Sequence, residues 1–214
     1  MKTRLNNLIY NKSRIKYVVL TALWLISPKI NGQENYILTI DNEAVSISLD
    51  EVKTIQYDNK PVTLSLKLKD TLTYIDSSYE FNYSKEYSVA KTEIDAGIEQ
   101  VMLMSAEGDG IIVQSYSTMN PEMLRELLLS EITKESVSYG YELIREDYNR
   151  TLINGVTIEV LKAVLEYKDT KSIYEVATLG DKDEGVLIMT MIQDVNFGAN
   201  KQIVDLLWDS FKYK

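Results

Sequence analysis

The run Val186-Leu187-Ile188-Met189-Thr190-Met191-Ile192 constrains this chain more than any other stretch. It barely alternates, and a strand that is apolar on both sides must be covered on both sides. Its neighbours supply the rest of a sheet. Asn154-Gly155 stands between Leu152-Ile153 and Val156-Thr157, a strong hairpin signal because both central residues of a type I′ turn need positive φ. In residues 156–167, Val156, Ile158, Val160 and Val164 share one face, and Leu161, Ala163, Leu165 and Tyr167 the other. The change of face near Val160-Leu161 implies a bulge there or burial of both faces. Turns at Asp169-Thr170-Lys171 and Asp181-Lys182-Asp183-Glu184-Gly185 separate residues 156–167, 173–179 and 186–192. Connections this short make the strands antiparallel neighbours.

Two amphipathic segments offer cover. Asn120-Pro121-Glu122 combines an N-cap, a first-turn proline and an acid near the positive helix end. Leu124, Leu127, Leu128 and Ile132 form its stripe, and Gly140 is its stop. A closing helix over residues 199–212 carries Ile203, Val204, Leu207, Trp208 and Phe211 on one side. One helix per face predicts an α+β fold, a three-layer α/β/α sandwich around an antiparallel sheet. A chain of 214 residues buries about 70% of its unfolded surface and needs no staple. With no cysteine and no histidine, structural zinc of the usual kind, a thiol nucleophile, a Ser-His-Asp triad and an imidazole switch are excluded.

At the start, Lys2, Arg4, Lys12, Arg14 and Lys16 precede the apolar residues 17–26 and then Ser27-Pro28-Lys29. A basic segment before an apolar run too short to span a bilayer reads as a secretory signal peptide. Residues 1–33 are therefore expected to direct export to a bacterial periplasm or medium. An uncleaved N-terminal membrane anchor is the alternative, and a buried helix of the mature fold is a further one. All 32 acids follow Gln33, whereas six of the 23 bases precede it, so cleavage takes the net charge from −9 to −15. A surface this acidic repels nucleic acid and anionic lipid. No nucleic-acid partner is expected, and no membrane insertion after cleavage.

Residues 34–70 read as an N-terminal β-meander. Val45, Ile47 and Leu49 alternate with serines, and Val62, Leu64, Leu66 and Leu68 with polar residues. Residues 71–78 read as a polar joint, and residues 79–214 as the sandwich domain. Short strands are expected at residues 79–83 and 87–89, and a hairpin at residues 98–104 and 111–116. No internal repeat is read.

The order from Tyr79 onward is paired strands, helix, strand, Asn-Gly hairpin, meander and last helix. With the opening Phe81-Asn82-Tyr83-Ser84 and the ending Trp208-Asp209-Ser210-Phe211-Lys212, it resembles the PsbP-like sandwich superfamily. That group includes photosystem extrinsic subunits, Ran-binding Mog-type proteins and small bacterial periplasmic proteins. The meander lies outside the pattern. The resemblance implies a non-catalytic accessory or binding protein with no shared active site.

Among local patterns, Asp181-Lys182-Asp183-Glu184-Gly185 is acidic but lacks EF-hand spacing. Ser88-Val89-Ala90-Lys91 has serine acyl-enzyme spacing but reads as strand, where that geometry fails. No catalytic, cofactor-binding or metal-binding residue is assigned. The polar stretch carrying Thr133, Lys134, Glu135, Ser136, Tyr139 and Tyr141 is the candidate binding edge, since a helix C-terminus favours Lys134 and the tyrosines offer amphipathic rings. The expected function is an exported monomer that binds a protein or small ligand without chemistry or cofactor. The alternatives are a carboxylate-dependent envelope glycan hydrolase and an acidic inhibitor or immunity-type protein.

Overall fold

The computed structural model describes residues 35–193 and 201–214. The expected signal segment and the first residues of the expected closing helix, 199 and 200, lie outside the described residues. The chain divides into two compact units, Met1–Lys67 and Leu68–Lys214.

In the first unit, β1 (Asn35–Ile40) pairs with β2 (Glu43–Ser48), and β3 (Val52–Tyr57) with β4 (Lys60–Ser65). Both hairpins turn on Asp-Asn: Asp41, Asn42, Asp58 and Asn59 all have positive φ, which these short polar side chains tolerate. The two are copies of one pattern, contrary to the reading of no repeat. Asp41-Asn42-Glu43-Ala44-Val45-Ser46-Ile47-Ser48-Leu49 matches Asp58-Asn59-Lys60-Pro61-Val62-Thr63-Leu64-Ser65-Leu66. The registers agree too, Leu38 opposite Val45 and Ile55 opposite Val62. The Tyr57 hydroxyl of the second copy donates to the turn carboxylate Asp41 of the first.

The second unit begins with β5 (Thr71–Ile75), in the stretch read as a joint, followed by β6 (Tyr79–Ser84), β7 (Ala90–Asp95), β8 (Ile98–Met104) and β9 (Gly110–Tyr116). A 3₁₀ turn, Pro121–Leu124, leads into α1 (Arg125–Ser138). Then come β10 (Glu142–Arg145), β11 (Tyr148–Thr151), β12 (Thr157–Tyr167), β13 (Thr170–Gly180), β14 (Gly185–Ile192), α2 (Lys201–Ser210) and β15 (Lys212–Tyr213). Eight of the strands make one antiparallel sheet in the order β10-β12-β13-β14-β9-β8-β7, with β11 also on β12. The strand β14 is central. Val186, Ile188 and Ile192 face one core, Leu187 and Met189 the other. β12 and β13 keep one unbroken register, so the apolar change of face in β12 reflects burial on both sides.

The expected three-layer α/β/α sandwich is corrected by this arrangement. Strand makes up 55% and helix 16%, so the protein is mainly β, with two helices among the described residues. On one face α1 and the 3₁₀ turn cover Leu161, Ala163, Leu165, Tyr174 and Val176. On the other, α2 shares the cover with a second sheet, β15-β6-β5, whose Tyr79 and Phe81 join Phe211 in the core. The two amphipathic stripes of the sequence predict one helix per layer, whereas strands outside those stripes make part of one cover. Residues 87–89, read as a strand, are not one, and β6 pairs with β5 instead.

The first helix begins as a 3₁₀ turn because the Asn120 side chain accepts from the Glu122 amide at 2.9 Å and Pro121 lacks an N–H. Leu127, expected on the buried stripe, is 60% exposed, and Leu129 is buried instead. Its end has the geometry of a Schellman motif. The Tyr141 amide donates to Ser136 O at 3.1 Å and the Gly140 amide to Val137 O at 3.0 Å, with Gly140 at φ +97°.

The turn of β5–β6 ties the small sheet to edge strand β7. The Asp76 carboxylate accepts from Ser77 at 3.0 Å and pairs with Lys91 Nζ at 3.2 Å. Burial pushes the Asp76 carboxyl up, but Lys91, Ser77 and the Ser78 amide outweigh it and hold it below the usual carboxylate value. A depressed folded pKa gives stability that is present above the unfolded value and lost as pH falls through the folded one. Asp76→Asn is therefore expected to be less stable than wild type at neutral pH, with the gap narrowing in acid. Urea midpoints across a pH series read this directly, and a gap independent of pH would remove the carboxylate charge as its cause.

Candidate functional site

The registers place the turn at residues 152–156, the turn at residues 181–184 and the 3₁₀ turn at one end of the large sheet. Thr157 starts β12 there, Gly180 faces Gly185, and Gly185 faces Tyr116 just before the 3₁₀ turn. The end of α2 and β15 reach the same place, where the Asn154 amide donates to Tyr213 O at 2.9 Å. Around this meeting point lie three hollows. One of about 410 Å³ is lined by Glu122, Arg125, Glu159 and Tyr213 among others. A second, about 490 Å³, shares Asn120 and Glu122 with the first and adds Met119, Met123 and Lys182. A third, about 470 Å³, lies on the other side of the Asn154–Tyr213 link and includes Ile153, Asn154, Ser210 and Lys212.

The charges in the first hollow are largely engaged with one another. Arg125 Nη2 lies 3.1 Å from Glu159 and 3.9 Å from Glu122, while its buried Nε has no hydrogen-bond partner. By the third hollow, Lys212 and Lys214 Nζ sit 3.4 and 3.7 Å from Glu80. Burial, followed by the Glu184 and Asp181 charges, pushes the Tyr213 hydroxyl above its ordinary value, so it stays a neutral donor. The surrounding surface is unusually apolar for turns. Ile153 is 66% and Met123 77% exposed, and Val156 is exposed as well.

Glycoside hydrolysis needs two carboxylates facing a gap that the sugar fills. Here Glu122 and Glu159 both turn toward a guanidinium. The described residues contain no group of three or more His, Cys, Asp or Glu side chains placed to hold a metal ion. Lys91 reaches Asp76 and Glu99, at 3.2 and 2.8 Å, so its ammonium is held by carboxylates.

The six residues singled out in the sequence lie at the other end of the sheet, where α1 finishes, and none lines these hollows. Thr133 is buried, its hydroxyl donating to Leu129 O at 2.8 Å. Lys134 pairs with Glu131 at 3.5 Å. Glu135 and Ser136 supply carbonyls that cap the helix. The Tyr141 ring packs 5.1 Å from Tyr167, and Tyr139 projects into solvent. The sequence did carry a signal for the end with the hollows: Ile153 and Val156 flank Asn154-Gly155, where a merely solvated turn has polar residues.

No family model and no curated protein matches the chain. Among solved structures it is similar to the solution structure of cyanobacterial PsbP (CyanoP) from Synechocystis sp. PCC 6803, at 14% identity and a TM-score of 0.45, covering 69% of this chain and 94% of that one. It is also similar to a crystal structure from Bacteroides thetaiotaomicron VPI-5482, at 8% identity and a TM-score of 0.38, covering 66% of this chain and 48% of that one. No helix among the described residues is long and apolar enough to cross a membrane.

Proposed function

We propose that the chain is an exported, non-catalytic accessory or binding protein that engages its partner through the turn end of the large sheet. The observation that carries this reading is the exposure of Val156 and Met123 around two adjoining hollows, in the first of which the carboxylates are paired with Arg125. Exposed apolar side chains grouped around concave surface mark interaction sites, and carboxylates held by an arginine are poorly placed to transfer protons. The basic and apolar pattern of residues 1–26 supports export. The likeness of Phe81-Asn82-Tyr83-Ser84 and of the closing helix to the PsbP-like superfamily implies the same non-catalytic class.

Site-specific photocrosslinking in the producing cell tests it. A benzophenone side chain at Val156 is expected to give one discrete adduct, and the same group at Tyr139 none. Adducts only from Tyr139 would move the site to the far end of the sheet. Release of soluble glycan, abolished by Glu159→Gln or Glu122→Gln, would replace binding with catalysis.

A further inference from the structure

We infer that the partner seated on this turn end is a basic protein segment, with a lysine or arginine entering the hollow between Glu122 and Glu159 while its apolar neighbours cover Val156 and Met123. The inference rests on the binding reading above and specifies its chemistry. Two independent features meet here. The first is the uncovered apolar surface around the two adjoining hollows, with Met123 77% and Val156 42% exposed. A small cation would leave these side chains in water, whereas a polypeptide segment would bury them, which decides for a protein partner.

The second feature is the charge around that surface. Glu122, Glu159, Asp181, Asp183 and Glu184 outnumber Arg125 and Lys182 on the two adjoining hollows and the turn beside them. The Tyr213 hydroxyl lies within the field of Glu184 and Asp181. Glu122 and Glu159 are 68% and 54% exposed even while they hold Arg125, so each keeps free acceptor capacity toward solvent. Arg125 itself illustrates the chemistry, since its guanidinium already lies 3.1 Å from Glu159 and 3.9 Å from Glu122. Complementary charge sets the sign of the partner and steers its approach. An acidic segment would meet repulsion here and gain only the apolar contact.

The test uses the protein purified from its own host and three synthetic peptides. In one, lysines and leucines are interspersed. In the second, glutamate replaces lysine, and in the third, serine replaces leucine. Fluorescence anisotropy is expected to show binding of the lysine–leucine peptide alone, weakening as salt is raised. Hydrogen exchange is expected to show protection at residues 118–125, 152–159 and 180–185. Combining Asp181→Asn, Asp183→Asn and Glu184→Gln is expected to weaken binding about tenfold. Removing as many charges at the far end, with Glu131→Gln, Glu135→Gln and Glu142→Gln, should change it less than about twofold. Equal loss from both sets would reduce the effect to overall charge and overturn the inference. So would equal binding of the glutamate peptide, binding that needs no leucine, or protection elsewhere. A discrete adduct from Val156 alongside such a result would leave the binding reading standing and remove only the basic partner.

Discussion

Glu175→Ala is expected to destabilise the protein by about 3–5 kcal/mol, measured as a fall in the urea midpoint at constant m-value. Glu175 is 9% exposed on β13, next to the central strand, against α2. Its carboxylate accepts from Trp208 Nε1 at 2.8 Å, the Tyr148 hydroxyl at 3.0 Å and the Thr190 hydroxyl at 3.1 Å. Burial and then the Glu175 charge push the Tyr148 hydroxyl up to about 12, so it remains a donor at neutral pH. Alanine would strand three donors, each costing about 1–3 kcal/mol when left unsatisfied. Loss of the carboxylate's own desolvation cost offsets part of that. Glu175→Gln keeps an oxygen for Trp208 and is expected to cost only about 1–2 kcal/mol. Equal effects of the two variants would mean that charge, rather than acceptor geometry, holds the network. A loss under about 1 kcal/mol for alanine would mean that water already satisfies these donors.

Arg150 extends the same network to the surface. Its guanidinium lies 5.3 Å from the Trp208 ring centroid and 3.1 Å from Asp209. The indole is thus fixed by a carboxylate at its N–H and a cation over its face. These contacts orient α2 so that its last turn delivers Ser210, followed by Lys212 of β15, to the third hollow. The buried network and the candidate site are linked through one helix.

What the sequence reveals depends on which side of a strand needs apolar contact. β12, β13 and β14 are legible because both their faces are buried, and their turns use residues with evident backbone preferences. β7, with the sequence Ala90-Lys91-Thr92-Glu93-Ile94-Asp95, is exposed along its whole length. β10 and β11 hold only Leu143, Ile144 and Tyr148 as large apolar residues. Such edge strands need a partner's backbone and little else, so no periodicity announces them. On β10–β11 even the ladder is partly side chain, since the Lys162 amide donates to the Asp147 carboxylate at 2.8 Å. The fold class is obscured in the sequence for the same reason. The amphipathic stripes of the helices are conspicuous, whereas β5 and the two residues of β15 are not. The hairpin copies are masked because their charges reverse, Glu43 against Lys60, and because Pro61 replaces Ala44. The polar residues at the end of α1 stand out in the sequence, yet helix termination accounts for most of them. The informative residues are instead apolar ones placed where a turn has no structural need of them.

Phe211→Ala is expected to cost about 3–5 kcal/mol, of which about 0.5–1.5 kcal/mol comes from each lost ring pair. Phe211 is fully buried between α2 and the small sheet. Its ring stacks at 5.6 Å on Tyr79 and at 6.5 Å on Phe81, and Tyr74 lies 5.4 Å from Phe81. The cavity would open where β15 leaves α2, so the loss should be uneven along the chain. Hydrogen exchange is expected to quicken first at Tyr79, Glu80 and Lys214, whose pairing joins β15 and the last residue to the small sheet. The central strands β13 and β14 should exchange only with global unfolding. Phe211→Leu keeps most of the volume and removes the stacking, so it isolates the aromatic part at about 1–2 kcal/mol. If β14 exchanged as early as β15 in Phe211→Ala, the small sheet and α2 would be one cooperative unit with the large sheet. The C-terminal strand could not then open on its own beside the candidate site. If β15 opens first, the Asn154–Tyr213 link between the first and third hollows opens with it, and partner binding at Val156 should weaken in step with that local exchange.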